Sequence, residues 1–476
     1  MKVNVQTQTT AGLNYLSRDQ VEDLHSATLE VLEKVGIEVL EQEALELLRK
    51  GGARISGSRA HIGEWMVKRA LSTAPSRITL SDRLGNTALV LEKNRIHYGT
   101  GSDTPYHLDL DGQRRPTVLE DVSNAAKLSD ALPNIDFVMS LGIPVDVPKK
   151  DCDVYQFEAM VLNTTKPILY TAQSVESLYK IIEMAQIVAG GATELKASPF
   201  LCLYNEPSSP LRHSREALLK LLYCAEMGLP INHTPAVMMG GTGPVTMAGA
   251  LVVANCELLS GLVIHQLKNE GAPIIYGGGV PPMDLRTTVS SYGAPEVQMG
   301  DAALVALGKY YGLPVFTASG CSDAHLFDQQ AGMEAGYSIL MAGLAGGNLI
   351  HDNGYLGAGM MSSLEMLILC DETIGLVKHI LQGISVDKET LAVDVIAKVG
   401  PGGNYLAEEH TFKHFRQSLH IPALLNRKNH DNWENGGSTT YGQRANDKAR
   451  SMLENHETPH LYKNIVDEIK KVVQRS

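Results

Sequence analysis

The residues best suited to chemistry sit at the ends of short apolar runs. Reading along the chain, those ends carry Tyr98, Ser140, Tyr170, Gln173, Tyr204, Asn205, Glu206, His233, Tyr276, Ser319, His351, Asp352 and Asn353. Tyrosines and carboxylates together suit a permanently charged ammonium group. A quaternary nitrogen has no N–H to donate, so it is held by π faces and diffuse negative potential. A tyrosine at such a place also serves merely to line a wall. A second candidate is MMGGTGPVTMAG (238–249), where glycines precede a helix start. Free amides at 242–246, Gly243 among them, suit a substrate carboxylate, while glycine there equally serves a tight turn. No Lys-Ser or Lys-Thr follows, so the stretch is not a P-loop. His351 and Arg286 are the side chains that could pair with a carboxylate. EEHTFKH (408–414) sets His410 and His414 at i, i+4 beside Glu409, a spacing that suits zinc but recurs among surface histidines. It lies outside the apolar runs, and no metal is expected.

A strand–helix alternation would position these residues. The β-prone runs are RIHYGTG (95–101), IDFVMSLGIP (135–144), KPILYTA (166–172), PFLCLYNE (199–206), PINHTPAVMM (230–239), APIIYGGG (272–279), LPVFTASG (313–320) and NLIHDNG (348–354), with amphipathic helical stretches between them. Eight such units predict an α/β chain folded as a (β/α)₈ TIM barrel, whose chemistry lies where the strands end. The alternative, an open doubly wound sheet, calls for G-x-G-x-x-G after the first strand, and none occurs there. Residues 1–94 are expected as an N-terminal helical region, opened by the capping box Ser17…Gln20. The barrel takes 95–385, and 386–476 form a helical C-terminal subdomain.

Composition narrows the class. The 476 residues are 44% hydrophobic and 20% charged with a net charge of -12, ordinary for a globular enzyme and contrary to a nucleic-acid footprint. The six cysteines are scattered with no C-x-x-C pair, as in a reducing, cytoplasmic setting. There is no apolar leader-like segment near the start and no run of eighteen apolar residues, so no membrane span is expected.

GCSDAHLFDQQ (320–330) contains DAHLFD, one residue from D-x-H-x-x-G, the loop that offers a histidine to the cobalt of a corrinoid. Its sixth position is Asp328, where glycine would let the backbone turn beneath the macrocycle. The stretch is therefore read as the loop after the seventh strand, at the catalytic face.

GGTGPVTMAGALVVANCELLSGLVIHQL, MDLRTTVSSYGAPE, SDAHLFDQQAGMEAG, VGPGGNYLAEEHTFKHFRQ and NRKNHDNWENGG resemble the trimethylamine methyltransferase superfamily, and the likeness runs over nearly the whole chain. The resemblance implies a barrel enzyme that passes a methyl group to the cobalt of a separate corrinoid protein. The corrinoid then belongs to a partner, and this chain binds no cofactor tightly. Trimethylamine-specific members carry pyrrolysine; here there are only standard residues, with Cys321 and Ser322 in the comparable region. The implied substrate is a quaternary amine, glycine betaine first, with proline betaine, carnitine and γ-butyrobetaine as alternatives. Such a substrate already has an electrophilic methyl and a neutral leaving amine, so the reaction needs alignment and exclusion of water rather than an acid. The residues expected to hold it are Tyr98, Tyr204, Glu206, Tyr276 and His351, then Asp352, Arg286 and Gly243. Two rival readings are a metal-dependent barrel hydrolase or lyase using His410 and His414, and a betaine-binding barrel without activity. A homo-oligomer is left open.

Overall fold

The computed structural model describes residues 12–475, and in it the eight runs become one ring of parallel segments. Seven are strands of a single sheet, ordered His97–Thr100, Leu349–Asn353, Val315–Ala318, Ile274–Gly277, Ile231–His233, Leu201–Asn205 and Ile168–Tyr170. The eighth run closes the gap between the edges: Phe137 bridges to Gly99 and Val138 to Ile168, both parallel. The expected barrel is therefore present, with its second segment reduced to two bridging residues.

Side chains along each strand alternate in direction. Leu169, Cys202, Ile275, Phe316 and Leu349 point into the ring, where they pack with Ile78, Leu80, Leu89 and Leu91. Those four come from an antiparallel hairpin, Ile78–Ser81 with Thr87–Leu91. The hairpin caps the N-terminal end of the barrel: Ser81 N donates to Pro199 O at 2.8 Å and Arg83 N to Thr165 O at 2.7 Å, both acceptors lying just before a strand. Among the described residues, the C-terminal end is the one left open. The region expected as helical thus also carries strands, including Ile37–Val39, which pairs with Arg212–His213. These strands pair antiparallel or with distant segments and do not alternate with helices as the barrel strands do.

The outer layer is helical. Its longest member, Met247–Lys268, is long and apolar enough to cross a membrane by length and composition, yet 72% of its most apolar window is buried. Helices Arg18–Lys34, Gln42–Lys50 and Glu64–Thr73 cover it, so its apolar side chains serve the core. At the C-terminal end, helix Tyr441–Asn455 buries Ala445 and Ala449 against the barrel's last helix, Leu364–Leu381, and helix Lys463–Val473 buries Ile469, Val472 and Val473 against Val175–Ala189. Between those two attachments and the barrel, no residue from 382 to 444 is buried.

Candidate active site

The open end of the barrel holds a cavity of about 610 Å³. Tyr204 reaches it from the strand Leu201–Asn205, on the same inward parity as Cys202. Its hydroxyl donates to Glu206 Oε1 at 2.5 Å. The Tyr204 ring lies 5.6 Å from Phe316 and 5.9 Å from His351, and Phe316 and His351 are 4.2 Å apart, centroid to centroid. These three rings make an aromatic floor.

The last strand supplies two consecutive lining residues, which regular pleating forbids. The pairing of Leu349–Asn353 with His97–Thr100 slips between Ile350 and Asn353, and Asp352 has φ 71°, a left-handed backbone unusual outside glycine. His351 has the inward parity of Leu349, and the bulge turns Asp352 into the cavity as well, with His351 Nδ1 2.8 Å from Asp352 Oδ1. Such strain tends to persist where a site uses it.

Two further tyrosines arrive on loops. Tyr355 passes over Gly101, where a Cβ would stand 2.1 Å from its ring; only glycine admits the ring. Tyr292 is held from behind. Tyr292 N and Gly293 N donate to Asp323 Oδ1 at 2.8 and 3.0 Å, and the Ser291 hydroxyl donates to the other oxygen. Asp323 is itself fixed through its N–H, which donates to Glu334 Oε2 at 2.8 Å. Replacing Asp323 by Ala should free this loop and weaken binding of tetramethylammonium ion about fivefold, the worth of one cation–π contact near 1 kcal/mol. Calorimetric titration beside a thermal melt checks this; unchanged affinity would remove Tyr292 from the site.

The cavity is acidic. Asp103, Glu206, Asp301 and Asp352 line it, against Lys220 and His351. Glu206 lines the cavity and is exposed to solvent there, and the protein around it raises its pKa by desolvation, opposed by the Tyr204 hydroxyl and by His351. Burial likewise raises Asp103, opposed by hydrogen bonds from Gln156, Ser140 and Thr171. Asp301, 2% exposed, is pushed by burial up to about 8. Its Oδ2 accepts from Thr317 Oγ1 and Ala318 N at 3.2 Å, while Oδ1 meets no donor. Burial lowers the pKa of Lys220, whose Nζ donates to Ala172 O at 2.6 Å.

A barrel with this mouth is a common scaffold, so fold alone does not assign chemistry. The family model for trimethylamine methyltransferase (MTTB) matches residues 1–476. The chain belongs to the MTTB family. It is 33% identical over 472 residues to the trimethylamine methyltransferase MttB of Desulfitobacterium hafniense (strain DSM 10664 / DCB-2), covering 98% of this chain and 94% of that one. It is also 33% identical over 450 residues to the glycine betaine methyltransferase of Desulfitobacterium hafniense (strain Y51), covering 94% of each. Among solved structures, the Methanosarcina barkeri monomethylamine methyltransferase MtmB superposes with a TM-score of 0.50 at 12% identity, covering 96% of this chain and 97% of that one. A hydroxylamine complex of MtmB gives 0.53, also at 12%, covering 96% and 92%. These two likenesses support the barrel fold. The MTTB-family chain is a methyltransferase.

Four of the eight side chains and backbone groups expected at the MTTB-family site meet in the cavity: Tyr204, Glu206, His351 and Asp352. Four do not. Tyr98 and Tyr276 point outward into the helix layer, where Tyr98 Oη donates to Ile339 O and Tyr276 Oη to Asn255 Oδ1, both at 2.9 Å. Arg286 stands on an exposed hairpin and pairs with Asp284 at 2.7 Å. The amides around Gly243 are used within their own turn: those of Gly241, Thr242 and Gly243 all donate to Met238 O at 2.9–3.0 Å, and Gly243 does not line the cavity. His410 Nε2 lies 3.2 Å from Glu389 O, and His414 Nε2 3.2 Å from Glu389 Oε1; neither lines the cavity. Among the described residues, no group of three or more His, Cys, Asp and Glu is arranged to hold a metal. Asp328 caps helix Gln329–Ala345, its Oδ1 accepting from Gln330 N and Ala331 N. Cys321 is buried, which pushes its thiol pKa well up and keeps it from nucleophilic use. Asp103, Tyr292, Phe316 and Tyr355 were not singled out from sequence, although Tyr292 lies inside MDLRTTVSSYGAPE, one of the segments that carry the resemblance.

Proposed function

We propose that this methyltransferase takes a methyl group from a small quaternary ammonium compound and delivers it to the Co(I) of a separate corrinoid protein in the cytoplasm. The observation that carries this reading is the convergence of Tyr204, Tyr292, Tyr355 and Phe316 with Glu206, Asp352 and Asp103 at the barrel's one open end. Aromatic faces and carboxylates suit a cation without N–H groups. The six free, buried cysteines suit a reducing compartment.

In the proposed reaction, Co(I) attacks the methyl carbon, the C–N bond breaks, and its electron pair stays on nitrogen as a neutral tertiary amine. No proton moves. The residues therefore have to align the methyl with the mouth and exclude water. Positive charge leaves the substrate as the methyl departs, so carboxylates favour the ground state over the transition state. The rings attract the departing amine as well, by dispersion. Glycine betaine is our preferred substrate: Lys220, with two N–H groups beyond the one used by Ala172, and His351 are the cavity's partners for its carboxylate. Relatives at equal identity are named for trimethylamine and for glycine betaine, so the preference rests on the cavity. Proline betaine, carnitine and γ-butyrobetaine place the same head differently relative to the carboxylate.

The partner has a fitting approach. Val245, Leu285, Val289, Leu326 and Met360 are exposed apolar side chains on loops that follow strand ends, and a rim of this kind suits a docking protein. Leu285→Asp with Leu326→Asp should raise the half-saturating concentration of corrinoid protein about tenfold and leave tetramethylammonium affinity unchanged. Transfer rates measured against corrinoid-protein concentration decide it, and an unchanged curve rejects the rim.

The direct test mixes the enzyme anaerobically with Co(I) corrinoid protein and each betaine or trimethylamine in turn. Conversion of Co(I) to methyl-Co(III), matched by the demethylated amine, is the expected result with glycine betaine. Binding of a betaine with Co(I) untouched across the panel would instead favour a barrel that binds without turnover.

A further inference from the structure

Asp301 reaches the cavity from the outer layer. It stands on helix Pro295–Tyr310, and its side chain meets the end of strand Val315–Ala318. There its two oxygens are treated differently. Oδ2 accepts from the Thr317 hydroxyl and from Ala318 N, whereas Oδ1 is buried without a partner. An unpaired buried polar atom is destabilising, so one that persists beside a cavity calls for an occupant.

The surroundings keep this carboxyl protonated. Burial pushes its pKa up to about 8, and the charge of Asp352 on the last strand adds to the rise. Tyr292 faces it too, its hydroxyl held neutral by burial. Neighbouring elements turn their polar groups elsewhere. Glu257 accepts from Ser209 and Leu211 N, Glu334 accepts from Ser322 and Asp323 N, and Tyr276 donates to Asn255. On the same helix, Lys309 donates to Ala345 O. With Oδ2 already taken by two donors, the Asp301 proton belongs on Oδ1, where it has no acceptor. A carboxyl kept neutral in this way serves as a hydrogen-bond donor to an anion.

Space for that anion is present. Gly279 also lines the cavity, and a Cβ there would meet Pro281 Cδ at 3.7 Å and Asp301 Oδ1 at 3.9 Å, both ordinary contacts. Crowding therefore does not require glycine at this position, and the missing side chain leaves a methyl-sized recess in front of Oδ1. His351 stands alongside, paired with Ala318 in the sheet. Lys220 instead enters from the helix after Leu201–Asn205, three strands away in the ring.

We infer that Asp301 Oδ1, the recess at Gly279 and His351 together seat the substrate's carboxylate, so that Asp301 selects a betaine over a plain tetraalkylammonium ion. The inference rests on the betaine reading above. Calorimetric titration of the full-length enzyme with glycine betaine and, separately, with tetramethylammonium ion tests it. An ionised Asp301 repels a carboxylate and attracts an ammonium ion. Between pH 7 and pH 9 the wild type should lose about tenfold in betaine affinity relative to Asp301→Asn, whose amide donates at either pH. Over the same range it should gain affinity for tetramethylammonium relative to that variant. Unfolding would weaken both ligands and so cannot imitate opposite signs. Gly279→Ala fills the recess and should weaken glycine betaine by about tenfold or more. Tetramethylammonium, which has no carboxylate to seat there, should bind it as before. Equal pH profiles for wild type and Asp301→Asn would overturn the inference and leave the betaine reading standing, as would unchanged betaine affinity in Gly279→Ala. A wild type that binds tetramethylammonium but not glycine betaine would overturn both.

Discussion

Glu206→Gln raises the dissociation constant for tetramethylammonium ion about 100-fold. The carboxylate shares the cavity with the Tyr204, Phe316 and His351 rings, and a unit charge ~5 Å away in an effective dielectric of about 20 contributes roughly 3 kcal/mol. Glutamine keeps an acceptor for the Tyr204 hydroxyl and nearly the same volume, so the change removes charge and little else. A neutral ligand of the same shape, with a tert-butyl head, should bind both proteins alike. The pH profile has a definite sign. Desolvation raises the Glu206 pKa, so on acidification the wild type loses affinity at a higher pH than an ordinary carboxylate would, and the variant loses less. Calorimetric titration at several pH values measures both effects. Equal affinity of variant and wild type for the cation would take Glu206 out of the binding site.

Asp301→Asn stabilises the protein, and more so as pH rises. Burial pushes this carboxyl from 3.8 up to about 8, so the folded state keeps a proton that the unfolded chain has lost. The wild type is therefore most stable, as far as this group is concerned, below the unfolded pKa. It loses that contribution as pH climbs towards the folded value, by about 4 kcal/mol between pH 5 and pH 8. Asparagine does not titrate, and it retains an oxygen for the donors Thr317 and Ala318. Thermal midpoints of the two proteins should lie close together at pH 5 and several degrees apart at pH 8, the variant being higher. Parallel midpoints across that window would mean that Asp301 ionises normally.

The barrel was legible because each strand is a short, dense apolar run between helical stretches, and all eight runs from RIHYGTG to NLIHDNG take their places in the ring. The site was legible only in part, for a reason in the same runs. Strands of a parallel barrel are apolar on both faces, so nothing in their composition says which parity looks inward. Tyr204 has the inward parity and Tyr98 and Tyr276 the outward one, although all three read alike as tyrosines near strand ends. Asp352 enters the cavity through a bulge, which breaks the alternation that any count of parity assumes. Asp103, Tyr292 and Tyr355 lie on loops, which carry no period. Tyr355 also depends on the absent side chain of Gly101, a relation between distant residues that composition does not display. The hairpin Ile78–Leu91 was missed although its strands are no shorter than those of the barrel, because it stands outside the strand–helix alternation that marked the other runs.

That hairpin has a kinetic consequence. With the N-terminal end of the barrel stoppered by Ile78, Leu80, Leu89 and Leu91, everything enters and leaves by a single door. On the proposed reaction, the ammonium compound has to be seated before the corrinoid protein covers the door. The demethylated amine then stays inside until the methylated partner has gone. Steady-state turnover should follow a compulsory order, amine on first and amine off last, with the corrinoid protein cycling between.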